Sequence, residues 1–296
     1  MFQSIMVPLD RSAFAEQALP WALSIAQRAH ARIDLAQVHV MYALEGAVGF
    51  SPYSAAEEVE SGQKERLYLE ATAKWLTSVS TVPVDAELLD GSAVMANTVA
   101  DAIARRAQAK NEDLLVLATH DRIPVDRFFL GSVSDELMRY AAVPLLLIHA
   151  SKLSRGIFAE PELEHVLIPL DGSELAEQIL EPALHMARLM EARCTLMRVI
   201  GPRASERERR EADAYLEQMA TRAKERNLPV QTRLSAASHA ADAILEALPP
   251  DGRTMVALAT HGRGGVARML RGSVADKVLR TCSAPLLVFR PKMQQA

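Results

Sequence analysis

Cysteine is nearly missing: Cys194 and Cys282 are the two in 296 residues, far apart and without partners at metal-ligand spacing. That excludes a disulfide framework and suits a reducing compartment, with Cys194 as core filler in an expected strand. No apolar run approaches the roughly 20 residues of a membrane-spanning helix. The strand-like Ile5-Met6-Val7 begins too early to leave room for a charged segment and an apolar signal core. The expected setting is the cytoplasm, with no membrane partner. A basic tail or stripe is lacking as well: 33 Lys plus Arg against 37 Asp plus Glu leave a net charge of −4 with both signs interspersed. That argues against nucleic acid as a partner. There is no Walker A sequence.

What the chain does have is length for two ordinary domains and 49% apolar residues to fill their cores. Short apolar runs expected as strands fall at 4–9, 33–40, 82–88, 114–119 and 144–149, with helical spacing over 14–29, 64–78, 98–109 and 133–140. Ser12 is placed to cap the first helix. The stretch 41–62, rich in Gly, Ser and Ala, is expected to be a loop. The pattern then restarts with a strand over 165–170. A constant shift of 161 positions, as from Asp10 to Asp171, aligns Pro8 with Pro169, Ser12 with Ser173, Glu16-Gln17 with Glu177-Gln178 and Val38 with Val199. Later the shift is 141, pairing Thr119-His120 with Thr260-His261 and Gly131-Ser132-Val133 with Gly272-Ser273-Val274. This is an internal duplication of an α/β unit, with a parallel sheet covered by helices on both faces. The boundaries are expected at 1–150 and 163–296, with 151–162 as linker. Ser205-Glu206-Arg207-Glu208 is a capping box opening a charged helix to about residue 227. Met186, Met190 and Met197 read as core filling.

Chemistry concentrates in the second half. Met255-Val256-Ala257-Leu258 is strand-like, Val274 onward is helical, and between them run Ala259, Thr260, His261, Gly262, Arg263 and further residues to Gly272-Ser273. A strand, a glycine-rich loop and a helix start turn backbone N–H groups toward one point, where an anion is the preferred guest. Arg263, Arg268 and Arg271 strengthen the reading of a phosphate cradle. Asp171 ends the first strand of the same half. If that strand neighbours the fourth, the carboxylate faces the cradle across the crevice where ligands bind in open parallel sheets. Ribose hydroxyls or a base amine suit the aspartate. The plainer alternative is that Asp171-Gly172-Ser173 is a turn and helix cap only, and Gly272-Ser273 another. Gly262 to Ala267 superficially fits a dinucleotide fingerprint, but it follows the fourth strand and not the first, so NAD is not expected.

These residues resemble the universal stress protein (UspA-like) superfamily over essentially the whole chain. Its ATP-binding members carry glycine, two residues, glycine, nine residues, then glycine and Ser or Thr; here Ala259 replaces the first glycine, while Gly262, Gly272 and Ser273 match. The resemblance implies two tandem doubly wound, five-stranded parallel sheets of Rossmann-like, adenine nucleotide alpha hydrolase-like type. It implies pairing of the units through their last strands, over 143–149 and 284–290, into an internal pseudo-dimer, with a homodimer also open. The implied cofactor is ATP with Mg on its phosphates, held by Pro169, Leu170, Asp171, Val199, Ala259, His261, Gly262, Arg263, Gly272, Ser273 and Val274, with no metal ligand from the protein and no catalytic residue.

In the first half a weaker site is implied at Asp10, Val38, Gly131, Ser132 and Val133, because Asp121 stands where the cradle glycine should be. A carboxylate about 5 Å from a phosphate charge costs on the order of 3 kcal/mol at an effective dielectric of about 20. A helix N-terminus returns only about 0.3–1 kcal/mol. The first half is therefore expected to bind ATP more weakly or not at all. A stress-response module that binds nucleotide without turning it over is the leading expectation. The competing ones are a slow ATPase or phosphotransferase using Arg263 or His261, for which no residue is evident to position a water, and a scaffold with an empty pocket. His120 and His261 are otherwise read as loop residues bonding locally.

Overall fold

The computed structural model describes residues 2–40, 55–91, 99–120, 132–150, 160–224, 228–260 and 273–290. Ten strands form one sheet in the order β3-β2-β1-β4-β5-β10-β9-β6-β7-β8. In the first half these are β1 (Ser4–Pro8), β2 (Arg32–His39), β3 (Val84–Asp90), β4 (Leu114–His120) and β5 (Leu145–Ala150). In the second they are β6 (His165–Pro169), β7 (Arg193–Ile200), β8 (Val230–Ala236), β9 (Thr254–Ala259) and β10 (Leu286–Phe289). Within each half all pairings are parallel. The halves join through an antiparallel pair, Leu286 opposite Leu147 and Leu287 opposite Leu146. Last-strand pairing thus fuses two five-stranded parallel units into a continuous ten-stranded sheet.

The central strands are apolar without alternation because both faces are covered. Every residue of β9 is buried, as are Leu114 to Leu117 of β4. On one face lie α1 (Leu19–Ala29), α2 (Ala55–Val79), α5 (Glu174–Glu177), α6 (Leu180–Leu189) and α7 (Glu206–Lys224), over a core that includes Ile5, Val7, Val166 and Ile168. On the other lie α3 (Val99–Ala109), α4 (Ser132–Tyr140), α8 (Ala240–Glu246) and α9 (Ser273–Thr281), over Met6, Leu115, Leu167 and Val256. Met186, Met190 and Met197 are all in the core. Burying each such side chain contributes roughly 1.5–3 kcal/mol against the entropy of ordering it.

Two local expectations need correction. The first helix does not run unbroken over 14–29. Ala15–Ala18 is a 3₁₀ turn and α1 begins at Leu19, since Pro20 lacks the N–H a continuous helix would use but suits a first turn. Ser12 Oγ does accept from Ala15 N at 3.0 Å. The expected loop over 41–62 is helical from Ala55. Alanines and glutamates at 55–60 favour helix, and Ser61-Gly62 costs only about 1 kcal/mol in an interior. That sum is smaller than the burial of Leu69 and Leu76 further along α2. The capping box forms as expected: Ser205 N donates to Glu208 Oε2 at 2.7 Å, and Glu208 N to Ser205 Oγ at 3.3 Å. Among the described residues no helix is long and apolar enough to cross a membrane.

Candidate functional site

The strand order reverses where β6 meets β9: the chain continues from β6 to β7 on one side, and β9 lies on the other. Pro169 closes β6, Leu170 is buried and bonds to Met197 O, and Asp171 follows at the exposed carboxyl edge. Asp171 Oδ1 accepts from Ser173 N at 2.9 Å and Ser173 Oγ at 2.6 Å, while Ser173 Oγ accepts from Ala176 N at 3.1 Å. The turn-and-cap alternative is therefore real. It occupies one carboxylate oxygen, and among the described residues none donates to Oδ2.

Across the switch point Ala259 ends β9, almost fully buried, and Thr260 N bonds to Phe289 O at 2.9 Å. Val199 lies near the end of β7, partly buried on the face of α8 and α9. Ser273 and Val274 open α9, Val274 with 37% of its surface exposed. Asp276, which would repel an anion from that helix start, is held by Arg280 Nε at 2.9 Å. Pro169, Leu170, Asp171 and Ala259 thus lie at the ends of two paired strands, while Ser273 and Val274 belong to the start of α9. His261, Gly262, Arg263 and Gly272 lie outside the described residues.

A pair that motif reading misses supports the Asp171 turn. Gly172 has φ +85°, and a Cβ there would lie 2.3 Å from Arg198 Nη1. The Arg198 guanidinium in turn sits 4.9 Å from the centre of the Tyr215 ring. Burial, then the neighbouring Glu177, pushes the Tyr215 hydroxyl up in pKa, so it stays neutral beneath the cation. Gly172→Ala is expected to cost about 1–2 kcal/mol in urea unfolding. If steric contact with Arg198 contributes, Arg198→Ala will relieve part of that cost in a double-mutant cycle; equal costs in both backgrounds would leave backbone strain as the sole cause.

The first half repeats the turn with other residues around it. Asp10 Oδ1 accepts from Ser12 N at 2.9 Å and Ser12 Oγ at 2.5 Å. Arg11, at the position of Gly172, takes φ +67° and reaches Glu65 at 4.0 Å, and Glu65 Oε2 pairs with His39 Nδ1 at 2.6 Å. Gln37 is buried at the place of Arg198. Val38 is partly buried on β2, and Ser132 and Val133 open α4. Gly131 and Asp121 lie outside the described residues. Aligning the halves position by position would have found these exchanges, because the 161-residue shift sets Arg11 against Gly172 and Gln37 against Arg198.

The fold recurs among known proteins. The Universal stress protein family model matches residues 1–149 and again 162–290. A universal stress protein of Mycolicibacterium smegmatis is 26% identical over 308 residues, covering 97% of this chain and 97% of the relative. The Mycobacterium tuberculosis universal stress protein Rv2005c is 26% identical over 302 residues, covering 97% and 96%. A solved universal stress protein from Archaeoglobus fulgidus has the same fold, with TM-score 0.73 and 17% identity over 98% of this chain and 99% of that one. Matched twice by one family description, the chain belongs to the universal stress protein family as a tandem of two of its units.

Proposed function

We propose that the second half holds an adenine nucleotide, ATP with Mg on its phosphates, and that the protein is a stress-response module read out by occupancy and not by turnover. The observation that carries this is the pairing of β6 with β9. It puts the Asp171 turn and the entry to the glycine loop at neighbouring strand ends, where an open sheet receives ligands. The Asp171 carboxylate serves ribose or base. Val199 and Val274 supply apolar surface. The Ser273 hydroxyl, the start of α9 and the cradle residues His261, Gly262, Arg263 and Gly272 serve the phosphates. Arg198, beside the turn, adds a cation. Occupancy regulates a partner only if ATP binds two conformations unequally.

The test is to denature the purified protein and identify and count the small molecule released. One adenine nucleotide per chain is the expected result. Two per chain would sink the asymmetry between halves, and none after incubation with excess ATP would sink the nucleotide reading itself.

A further inference from the structure

The helix α2 is apolar on its outer surface as well as its inner one. Leu69 and Leu76 are buried toward β2 and β3, with Tyr68 and Trp75 partly covered beside them. Facing away from the sheet, Val59 is 72%, Leu67 58% and Val79 49% exposed, three of the six large apolar side chains left exposed among the described residues. All three fall on one line of four-residue steps, Val59-Gln63-Leu67-Ala71-Trp75-Val79, on which Gln63 and Ala71 are exposed too. Such a line is the ridge by which one helix interlocks with another. A single exposed leucine is ordinary, but an apolar row along a ridge marks a contact surface.

The duplication supplies an internal comparison. At a shift of 147 (216 − 69) Leu69 matches Leu216 and Tyr68 matches Tyr215, each tyrosine bonded to the equivalent glutamate, Glu16 or Glu177. The ridge of α7 then reads Glu206, Arg210, Ala214, Gln218 and Arg222. Arg222 is bonded to Glu177 at 2.9 Å, and Arg210 lies 3.9 Å from Glu206. The apolar ridge therefore belongs to the first half alone.

This ridge is complementary to itself. Two copies of α2 with their ridges interlocked run antiparallel about a two-fold axis beside Leu67, so that Leu67 meets Leu67 and Gln63 meets Ala71. A two-fold axis across the helices also sets each flank of the ridge against the same flank reversed. On the flank that carries Gly62, Arg66, Glu70 and Lys74, Arg66 of each copy then meets Glu70 of the other. Neither of these two charges is engaged in an ion pair among the described residues. On the opposite flank Lys64 is already held by Glu60 at 2.7 Å.

We propose that the outer ridge of α2 is a self-association surface through which two copies of the chain pair about a two-fold axis at Leu67. A two-fold contact closes after two copies and makes no filament. One helix on one helix is a small interface, in the class below about 1,200 Å² that associates weakly and reversibly. It lies over β2 and β3 at the first-half end of the sheet and does not rest on the nucleotide reading.

The test is sedimentation of the full chain from about 1 µM to about 1 mM without ligand. The expected result is a mass rising from 32.4 kDa toward twice that value, with half-association at about 10–100 µM. Leu67→Asp, which sets two carboxylates together at the axis, should weaken association about tenfold or more. Arg66→Glu and Glu70→Arg should each weaken it about fivefold, and the two together should restore it. Circular dichroism confirms that each variant is folded. A chain that stays monomeric throughout, or a dimer indifferent to Leu67→Asp, would overturn the proposal, and a double reversal that fails to restore association would overturn its two-fold register. A monomer that instead sediments with phosphatidylcholine vesicles, and loses them in Leu67→Asp, would overturn it in favour of a lipid surface.

Discussion

Gly262→Asp should weaken ATP binding to the full chain by about 100-fold, measured by calorimetry. The change writes into the second half the residue that the first half carries as Asp121. A carboxylate about 5 Å from a phosphate charge is repelled by about 3 kcal/mol at an effective dielectric of about 20, and about 1.4 kcal/mol is a factor of ten. The strand that delivers this position, β9, is buried throughout and paired on both sides. Thermal stability without ligand should therefore move little, so that lost binding is not lost folding. Asp121→Gly is the reciprocal experiment and should bring the count of bound nucleotide above one per chain. An unchanged affinity in Gly262→Asp would show that the loop glycine does not approach the phosphates.

The second large effect is on stability and pH. At the amino ends of β1, β2 and β4, Asp34 and Glu112 are buried together, 2% and 3% exposed. Arg32 Nε donates to Asp34 Oδ2 at 2.8 Å, and Lys110 Nζ pairs with Asp34 Oδ1. Ser4 Oγ donates to Glu112 Oε2, while Glu112 Oε1 is buried without a hydrogen bond, 3.8 Å from Arg32 Nη2. Glu87 lies 3.7 Å from Lys110 and Asp85 faces Arg32, both from β3. Burial works to raise the pKa of Asp34, but Lys110 and Arg32 overcome it and hold the acid below its usual range. Glu112 goes the other way: burial, then the neighbouring Asp34 charge, pushes it up to about 7.

An acid whose folded pKa exceeds its unfolded one keeps its proton longer in the fold, so stability falls as pH rises from about 4.5 through about 7. The Asp34 contribution has the opposite sign and is lost only as pH drops below the ordinary carboxylate range. Glu112→Gln imitates the protonated acid: its carbonyl accepts from Ser4, and its amide faces Asp34. At pH 8 the variant should be more stable than the parent by about 2 kcal/mol in urea unfolding, with the difference vanishing near pH 4.5. Equal stability at both pH values would mean that Glu112 is ionised in the fold without penalty.

The strands and the repeat were legible because continuous apolar runs such as Leu114 to Leu117 leave few alternatives to a sheet buried on both faces. The place of Asp171 at the end of one such run was legible too, whereas the adjacency of β6 and β9 stayed a condition until the sheet order supplied it. The start of α2 was hidden because local Gly and Ser content points one way and packing of Leu69 and Leu76 the other. Harder still were contacts between distant segments. Arg198 lies 26 residues from Gly172, and Glu112 lies 78 from Asp34. No spacing rule links either pair, and only the sheet register brings them together. In the second half Thr195 and Arg253 occupy the places of Asp34 and Glu112, with Thr195 bonded to His165 at 2.8 Å and Arg253 to Glu164.

That divergence is possible because the two units that meet at the antiparallel seam of β5 and β10 are one chain. In a dimer of identical copies every substitution is suffered twice, once on each side of the axis. Covalent fusion removes that coupling: one copy of the duplicated gene segment can drift while its sister stays under selection, and association never depends on how many molecules the cell makes.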